Sequence, residues 1–126
     1  MEIGGTSCDV ILMSNANATS TDHLIIDGYY LGLPSVDVHT VGAGGGTIAG
    51  VDKAGMLFVG PKGAGAKPGP ACYNKGGTEP TITDAKLVTG IINPNNFASG
   101  QFNLSKKLAM KAISKIAKKL NTNVSN

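Results

Sequence analysis

The sequence predicts an α+β fold in which an antiparallel β-meander leads into glycine-rich loops and ends on an amphipathic helix. Three observations predict it. Short apolar, β-favouring runs alternate with polar turns across residues 8–41. Twelve of the 18 glycines fall between Gly42 and Gly77, so turns and close backbone approach, not core side chains, shape that third of the chain. Apolar residues then recur at helical spacing between Leu104 and Leu120. With 126 residues, 41% of them hydrophobic, the chain has enough material for one small domain and a modest core.

Residues 8–14 (CDVILMS) read as the first strand and the polar residues 15–21 as a turn or loop. A second strand over 23–30 and a third over 35–41 complete the meander, with Pro34 leading into the third. That strand runs into Gly42-Ala43-Gly44-Gly45-Gly46-Thr47 and a short segment to Val51. A turn over 52–55 then leads to a strand over 56–59. Residues 60–80 lack periodicity and read as one long Gly/Pro-rich loop. Its Ala64, Ala66, Ala71, Cys72 and Tyr73 predict an ordered loop packed on a surface. Residues 83–91 predict a short helix with Thr83 as N-cap and Gly90 past its end. The final helix, 104–120 with Asn103 as N-cap, carries one stripe of Leu104, Leu108, Ala109, Ala112, Ile113, Ile116, Ala117 and Leu120.

Charge is divided along the chain. Residues 1–52 carry six acids and no Lys or Arg, for −6, while residues 53–126 carry eleven lysines against Glu79 and Asp84, for +9. The lack of Arg, whose planar fork reads bases and clamps phosphates, argues against nucleic acid as a partner. The six lysines of the last helix read as a solvated face, since no Trp or Phe lies on its apolar side to enter a membrane. No apolar run approaches the roughly 20 residues of a membrane span. Cys8 and Cys72 show neither CxxC spacing nor neighbouring histidines, the pattern of buried thiols in a reducing compartment. With Glu2 and Asp9 where a signal peptide would be basic and apolar, the expected location is cytoplasmic.

Three segments carry candidate chemistry. In Glu2-Ile3-Gly4-Gly5-Thr6-Ser7-Cys8-Asp9, Gly4 and Gly5 allow a tight turn with outward N–H groups, and Thr6 and Ser7 add hydroxyls. That suits a phosphate, and Glu2 and Asp9 suit a Mg²⁺ that keeps several waters; a plain turn into a strand is the structural alternative. In the second segment, Gly44, Gly46 and Ala49 match G-x-G-x-x-A. The preceding strands read as antiparallel, however, and no acid lies between Asp52 and Glu79, so a dinucleotide fold is excluded. Gly42, Gly44, Gly45, Gly46 and Thr47 then read as an anion site approaching a helix start, or as close packing of backbone on backbone. In the third segment, Lys67 sits between Ala66 and Pro68, which excludes a Walker loop. Cys72 has no base adjacent in sequence and reads as an inert thiol. His39, two residues before the glycine run, is a better site candidate than His23.

Together, IGGTSCDV, VDVHTVGAGGGTIAGVD, VGPKGAGAKPGPACYNKGG and PTITDAKLVTG, in this order, resemble the hydantoinase A/oxoprolinase family over about residues 1–100. The resemblance implies part of a nucleotide-binding lobe like that of actin, hexokinase and Hsp70, with residues 1–126 as a single incomplete domain. Residues 2–9 resemble that lobe's second phosphate loop, usually Asp-Met-Gly-Gly-Thr-Ser-Thr-Asp; here Glu2 replaces the first Asp and Cys8 the second Thr. Gly63 stands where the family usually has Ser. The implied activity is ATP-dependent hydrolysis of a cyclic amide of the hydantoin or 5-oxoproline class, through phosphorylation of its carbonyl oxygen and ring opening. ATP and Mg²⁺ are the implied cofactors. Gly4, Gly5, Thr6, Ser7 and Gly42, Gly44, Gly45, Gly46 and Thr47 are the expected nucleotide contacts, Glu2 and Asp9 the metal ligands, and Asp9 and His39 the catalytic candidates. The alternatives are a subunit of an acetone- or acetophenone-type carboxylase, acting on a ketone, and a non-catalytic assembly subunit. The family's other Gly-Gly-Thr loop and its later adenosine-binding segment are not in this sequence. The expectation is therefore a piece that needs an N-terminal lobe or partner subunit, self-associates through uncovered apolar surface, and does not turn over alone.

Overall fold

The computed structural model describes residues 1–100 and 102–124. The chain opens with β1 (Glu2–Ile3) and β2 (Cys8–Ile11), an antiparallel pair that sets Glu2 opposite Asp9 and Ile3 opposite Cys8. An arm follows. Strands β3 (Met13–Ser14) and β4 (Asn17–Ala18) form a hairpin closed by Asn15 and Ala16, both at positive φ. Strand β5 (Ser20–Thr21) leads to a second hairpin of β6 (Leu24–Ile26) and β7 (Tyr29–Leu31). Asp27 and Gly28 turn it at φ 51° and 82°, the left-handed pair that matches strand twist in a two-residue hairpin. Strand β8 (Ser35–Val36) returns beside β5, and β9 (Val38–Val41) pairs with β2, Ile11 opposite Val38 and Cys8 opposite Val41.

The three-strand meander is thus corrected. The base is an antiparallel β1-β2-β9 sheet, the strand expected over 23–30 is a hairpin, and the expected loop over 15–21 contains β4 and β5. The Asp27-Gly28 pair breaks the apolar run because its backbone must go left-handed. Along the arm Leu12, Met13, Ile25, Ile26, Tyr29 and Tyr30 are exposed.

Strands β10 (Thr47–Val51) and β11 (Leu57–Gly63) form a second antiparallel pair with a bulge between Thr47 and Ala49. The glycine run therefore leads into a strand and not a helix, which removes the helix-dipole argument for an anion there. Strand β11 also takes the first residues assigned to the long loop. Beyond it, Pro70, Ala71, Cys72 and Pro80 are buried and Ala71–Tyr73 is a 3-10 turn.

Helix α1 (Ile82–Val88) starts two residues earlier than expected. Thr81, not Thr83, is its N-cap, in a capping box with Asp84. Helix α2 (Lys106–Lys119) is capped by Ser105, not Asn103, because Leu104 is drawn off the helix to pack against the core. That core is small: Cys72, Leu87 and Ala109, with Tyr73, Val88, Ile92 and Leu104 against it. The buried face of α2 is Ala109, Ala112 and Ala117, so the helix can lie close on α1 and the 3-10 turn.

One side chain joins these parts. Asp84 is fully buried. Its carboxylate accepts from the N–H groups of Ala71 (3.2 Å), Cys72 (2.7 Å) and Thr81 (3.0 Å), and from the Thr81 hydroxyl (2.7 Å). The Cys72 carbonyl in turn accepts from Ser105 N–H at 2.8 Å, where α2 begins. Asp84→Asn puts an NH₂ among groups that all donate, and should cost about 3 kcal/mol. Urea unfolding of the variant measures it, and an unchanged midpoint would remove Asp84 from this role.

Candidate functional site

Residues 4–7 form the loop between β1 and β2. Gly4 N–H donates to Ser7 C=O at 2.9 Å, closing it from within. The glycine run lies directly on this loop: Gly45 N–H donates to Gly4 C=O at 3.1 Å and Gly46 N–H to Gly5 C=O at 2.6 Å. The approach has no room for a side chain. A Cβ on Gly44 would lie 2.7 Å from Thr6 N, 2.8 Å from Gly4 O and 2.8 Å from Gly5 C, all main-chain atoms.

The run spends its own donors in this packing. Gly44 N–H donates to Thr47 Oγ1 (2.7 Å), and Thr47 N–H returns to Gly44 C=O (3.0 Å). With Gly45 and Gly46 bound to the loop, the four N–H groups of residues 44–47 all have partners inside the protein. Among the described residues, the N–H groups of Gly5, Thr6 and Ser7 have none. The structure therefore brings the two glycine segments together with different standing: one holds, and the other is held with its donors free.

Glu2 and Asp9 face each other across β1 and β2, so their side chains leave the same face of the sheet within reach of one small cation. Asp9 Oδ1 also accepts from Thr40 Oγ1 at 2.6 Å. Two carboxylates beside a free-donor loop are the donor chemistry of a Mg²⁺ that keeps waters and shares phosphate oxygens. Among the described residues no three His, Cys, Asp or Glu side chains converge. His39 stands opposite Val10, one place along from the Asp9–Thr40 pair, so its side chain projects from the other face. It is 76% exposed, with Nε2 3.6 Å from Asp37 Oδ2. The structure does not bring it to Asp9.

Both cysteines are free and buried. Burial raises the Cys72 thiol pKa well above its ordinary value, and the hydrogen bond and charge of Asp84 push it further the same way. A thiol so held stays protonated and is no nucleophile. The residue that sequence reasoning missed is Thr83. Taken there as a helix cap, it instead donates through Oγ1 and N–H to Gly45 C=O, both at 2.8 Å. The T-x-x-D capping signal at Thr81 and Asp84 releases it for that contact.

An antiparallel base carries paired carboxylates and a free-donor loop braced by glycine backbone. A model described as Hydantoinase/oxoprolinase matches residues 1–126, and the chain belongs to that family. It is 44% identical over 125 residues to caprolactamase subunit alpha of Pseudomonas jessenii, 98% of this chain and 18% of that one. With the acetophenone carboxylase gamma subunit of Aromatoleum aromaticum the identity is 46% over 122 residues, 94% of this chain and 17% of that one. Among solved structures it superposes on nucleotide-free acetone carboxylase with a TM-score of 0.79 at 33% identity. It superposes on the ATP-dependent caprolactamase of Pseudomonas jessenii with 0.78 at 45% identity. These cover 98% and 97% of this chain and 18% of each structure, so the chain spans less than a fifth of the length of these relatives. Among the described residues no helix is long and apolar enough to cross a membrane.

Two outcomes follow from this geometry. Gly44→Ala should destabilise by about 2 kcal/mol through backbone displacement. Gly42→Ala, whose Cβ meets only Pro61 O at 3.6 Å, should not; equal melting temperatures for the two variants would refute the packing. For Cys72, the folded thiol stays protonated where the unfolded thiol ionises. Stability should therefore fall as pH rises past about 9, where an ordinary thiol titrates. Urea midpoints at pH 7.5 and 10 should show a shallower fall in Cys72→Ala than in the parent.

Proposed function

We propose that this chain supplies the second phosphate loop of a nucleotide-binding lobe of the actin/hexokinase/Hsp70 type, in an ATP-dependent enzyme that opens small cyclic amides. The observation that carries the reading is the set of free N–H groups on Gly5, Thr6 and Ser7, beside the Glu2–Asp9 pair. Similarity to an ATP-dependent caprolactamase along nearly the whole chain supports it.

A ring amide is a poor electrophile. Transfer of the γ-phosphoryl group of ATP to its carbonyl oxygen makes an O–P bond and breaks the bond to the β-phosphate oxygen, releasing ADP. Water adds to the activated carbon, and the ring C–N bond breaks with nitrogen leaving as the amine. A second water hydrolyses the acyl phosphate to acid and phosphate. Such transfer depends on positioning and charge neutralisation. Gly5, Thr6 and Ser7 N–H groups would receive phosphate oxygens, with the Thr6 and Ser7 hydroxyls beside them. Glu2 and Asp9 would hold Mg²⁺, which when bound neutralises charge on the phosphates. Thr40 fixes one oxygen of Asp9 and leaves the other for this task. Gly42, Gly44, Gly45, Gly46 and Thr47 serve as the scaffold behind the loop.

The second reading is a carboxylase subunit in which the same phosphoryl transfer activates a ketone and bicarbonate. The 46% identity to an acetophenone carboxylase subunit favours it. In either case the catalytic unit includes sequence outside these residues. Assay of the full protein for ATP hydrolysis should show stimulation by hydantoins, 5-oxoproline or caprolactam in the first reading, and by acetone or acetophenone with bicarbonate in the second. No stimulation by either group would sink both. Asp9→Asn should lower kcat/KM for MgATP about tenfold or more, and a variant equal to the parent would remove Asp9 from the metal site.

A further inference from the structure

We propose that Thr83 is a positioning residue for the phosphate-facing loop, acting through two peptide planes; this rests on the reading of residues 4–7 given above. The Gly45 carbonyl accepts from both Thr83 Oγ1 and Thr83 N–H at 2.8 Å. That carbonyl belongs to the same peptide plane as Gly46 N–H. In a trans peptide the two groups point in opposite directions from a rigid plane, so holding the carbonyl from α1 aims Gly46 N–H at Gly5 C=O, 2.6 Å away.

The same rule applies once more. Gly5 C=O shares its plane with Thr6 N–H, so pulling the carbonyl toward the glycine run turns Thr6 N–H away from it. Beside it, Gly45 N–H holds Gly4 C=O at 3.1 Å, which turns Gly5 N–H away likewise. Two outward donors of the loop thus take their direction from bonds that converge on Gly45.

An outside anchor is needed here. Glycine has no Cβ to restrict its planes; at position 44 a Cβ is barred by the loop's own backbone, and at position 46 it would crowd Gly5 O at 3.0 Å. Position 45 has space limited by Thr83 alone, whose Oγ1 would lie 2.7 Å from a Cβ there. Thr83 thus fills the place of the missing side chain and supplies the bond that fixes the plane. Asp84, the next residue, fixes the start of α1 from which Thr83 reaches.

The test uses the full protein with Thr83→Val, which keeps shape and N–H but removes the hydroxyl, and Thr83→Ser, which keeps the hydroxyl. Magnesium tripolyphosphate is the probe, titrated by calorimetry. Hydrogen exchange of segments 2–9 and 42–47 is followed by mass spectrometry. Thr83→Val should weaken tripolyphosphate binding about fivefold and speed exchange in both segments, at a melting temperature close to the parent's. Thr83→Ser should restore both. Parental affinity and exchange in Thr83→Val, or a Ser variant as impaired as Val, would overturn the proposal. If the parent does not bind tripolyphosphate, the phosphate-loop reading fails by itself, and the exchange comparison still decides whether Thr83 sets the planes.

Discussion

The Asp84 carboxylate is the constraint on which the second half of the chain depends. Its partners are neutral: three main-chain N–H groups and one hydroxyl, from Ala71-Cys72 on one stretch of chain and Thr81 on another. A buried carboxylate left unsatisfied is among the most costly states a fold can hold. Any arrangement that loses one of these donors is therefore penalised at once. The loop around Pro70 and Ala71 has no periodic pattern to fix it, and this charge does so in place of a pattern. Through Cys72 the same order reaches the first turn of α2. A core of only a few buried side chains can stay well defined because its members arrive already placed.

The front of the chain follows a different logic. There the close contact is main chain on main chain, made possible by glycines that give up side chains on both surfaces. The gain is a loop whose free donors are defined by what its carbonyls are bound to. This also accommodates Glu2 and Cys8 at positions where the family resemblance implies Asp and Thr. Loop shape comes from the glycine backbone, and those two side chains lie on the flanking strands, outside it.

Legibility from sequence followed how local each signal was. The stripe of α2 was readable because a period repeated over four turns outweighs any single residue. The turn at Gly4 and Gly5 leading into β2 was readable because its signal is contiguous. Asp27-Gly28 is also a local signal, but it lay inside an apolar run and was read through as strand. The cap at Thr81 was missed because Thr83 sits equally well before an apolar run, and only Asp84, placed to complete the box with Thr81, decides between them. For the glycine run the sequence leaves two readings open, an anion site and backbone packing, and only the fold decides between them. Whether a glycine N–H faces a ligand or a carbonyl depends on contacts some forty residues away, such as that between Gly45 and Gly4.

Strands β2 and β9 close their ladder at Ile11 and Val38. Everything between leaves the base sheet and returns to it at neighbouring points. Mechanically the arm is an appendix on a closed stem, and its length is uncoupled from the loop of residues 4–7 at the other end of β2. Insertions or deletions there leave the register of Glu2 against Asp9 untouched. A lineage could thus remodel the outward reach of this protein, and whatever it touches, while the end that carries residues 4–7 stayed fixed.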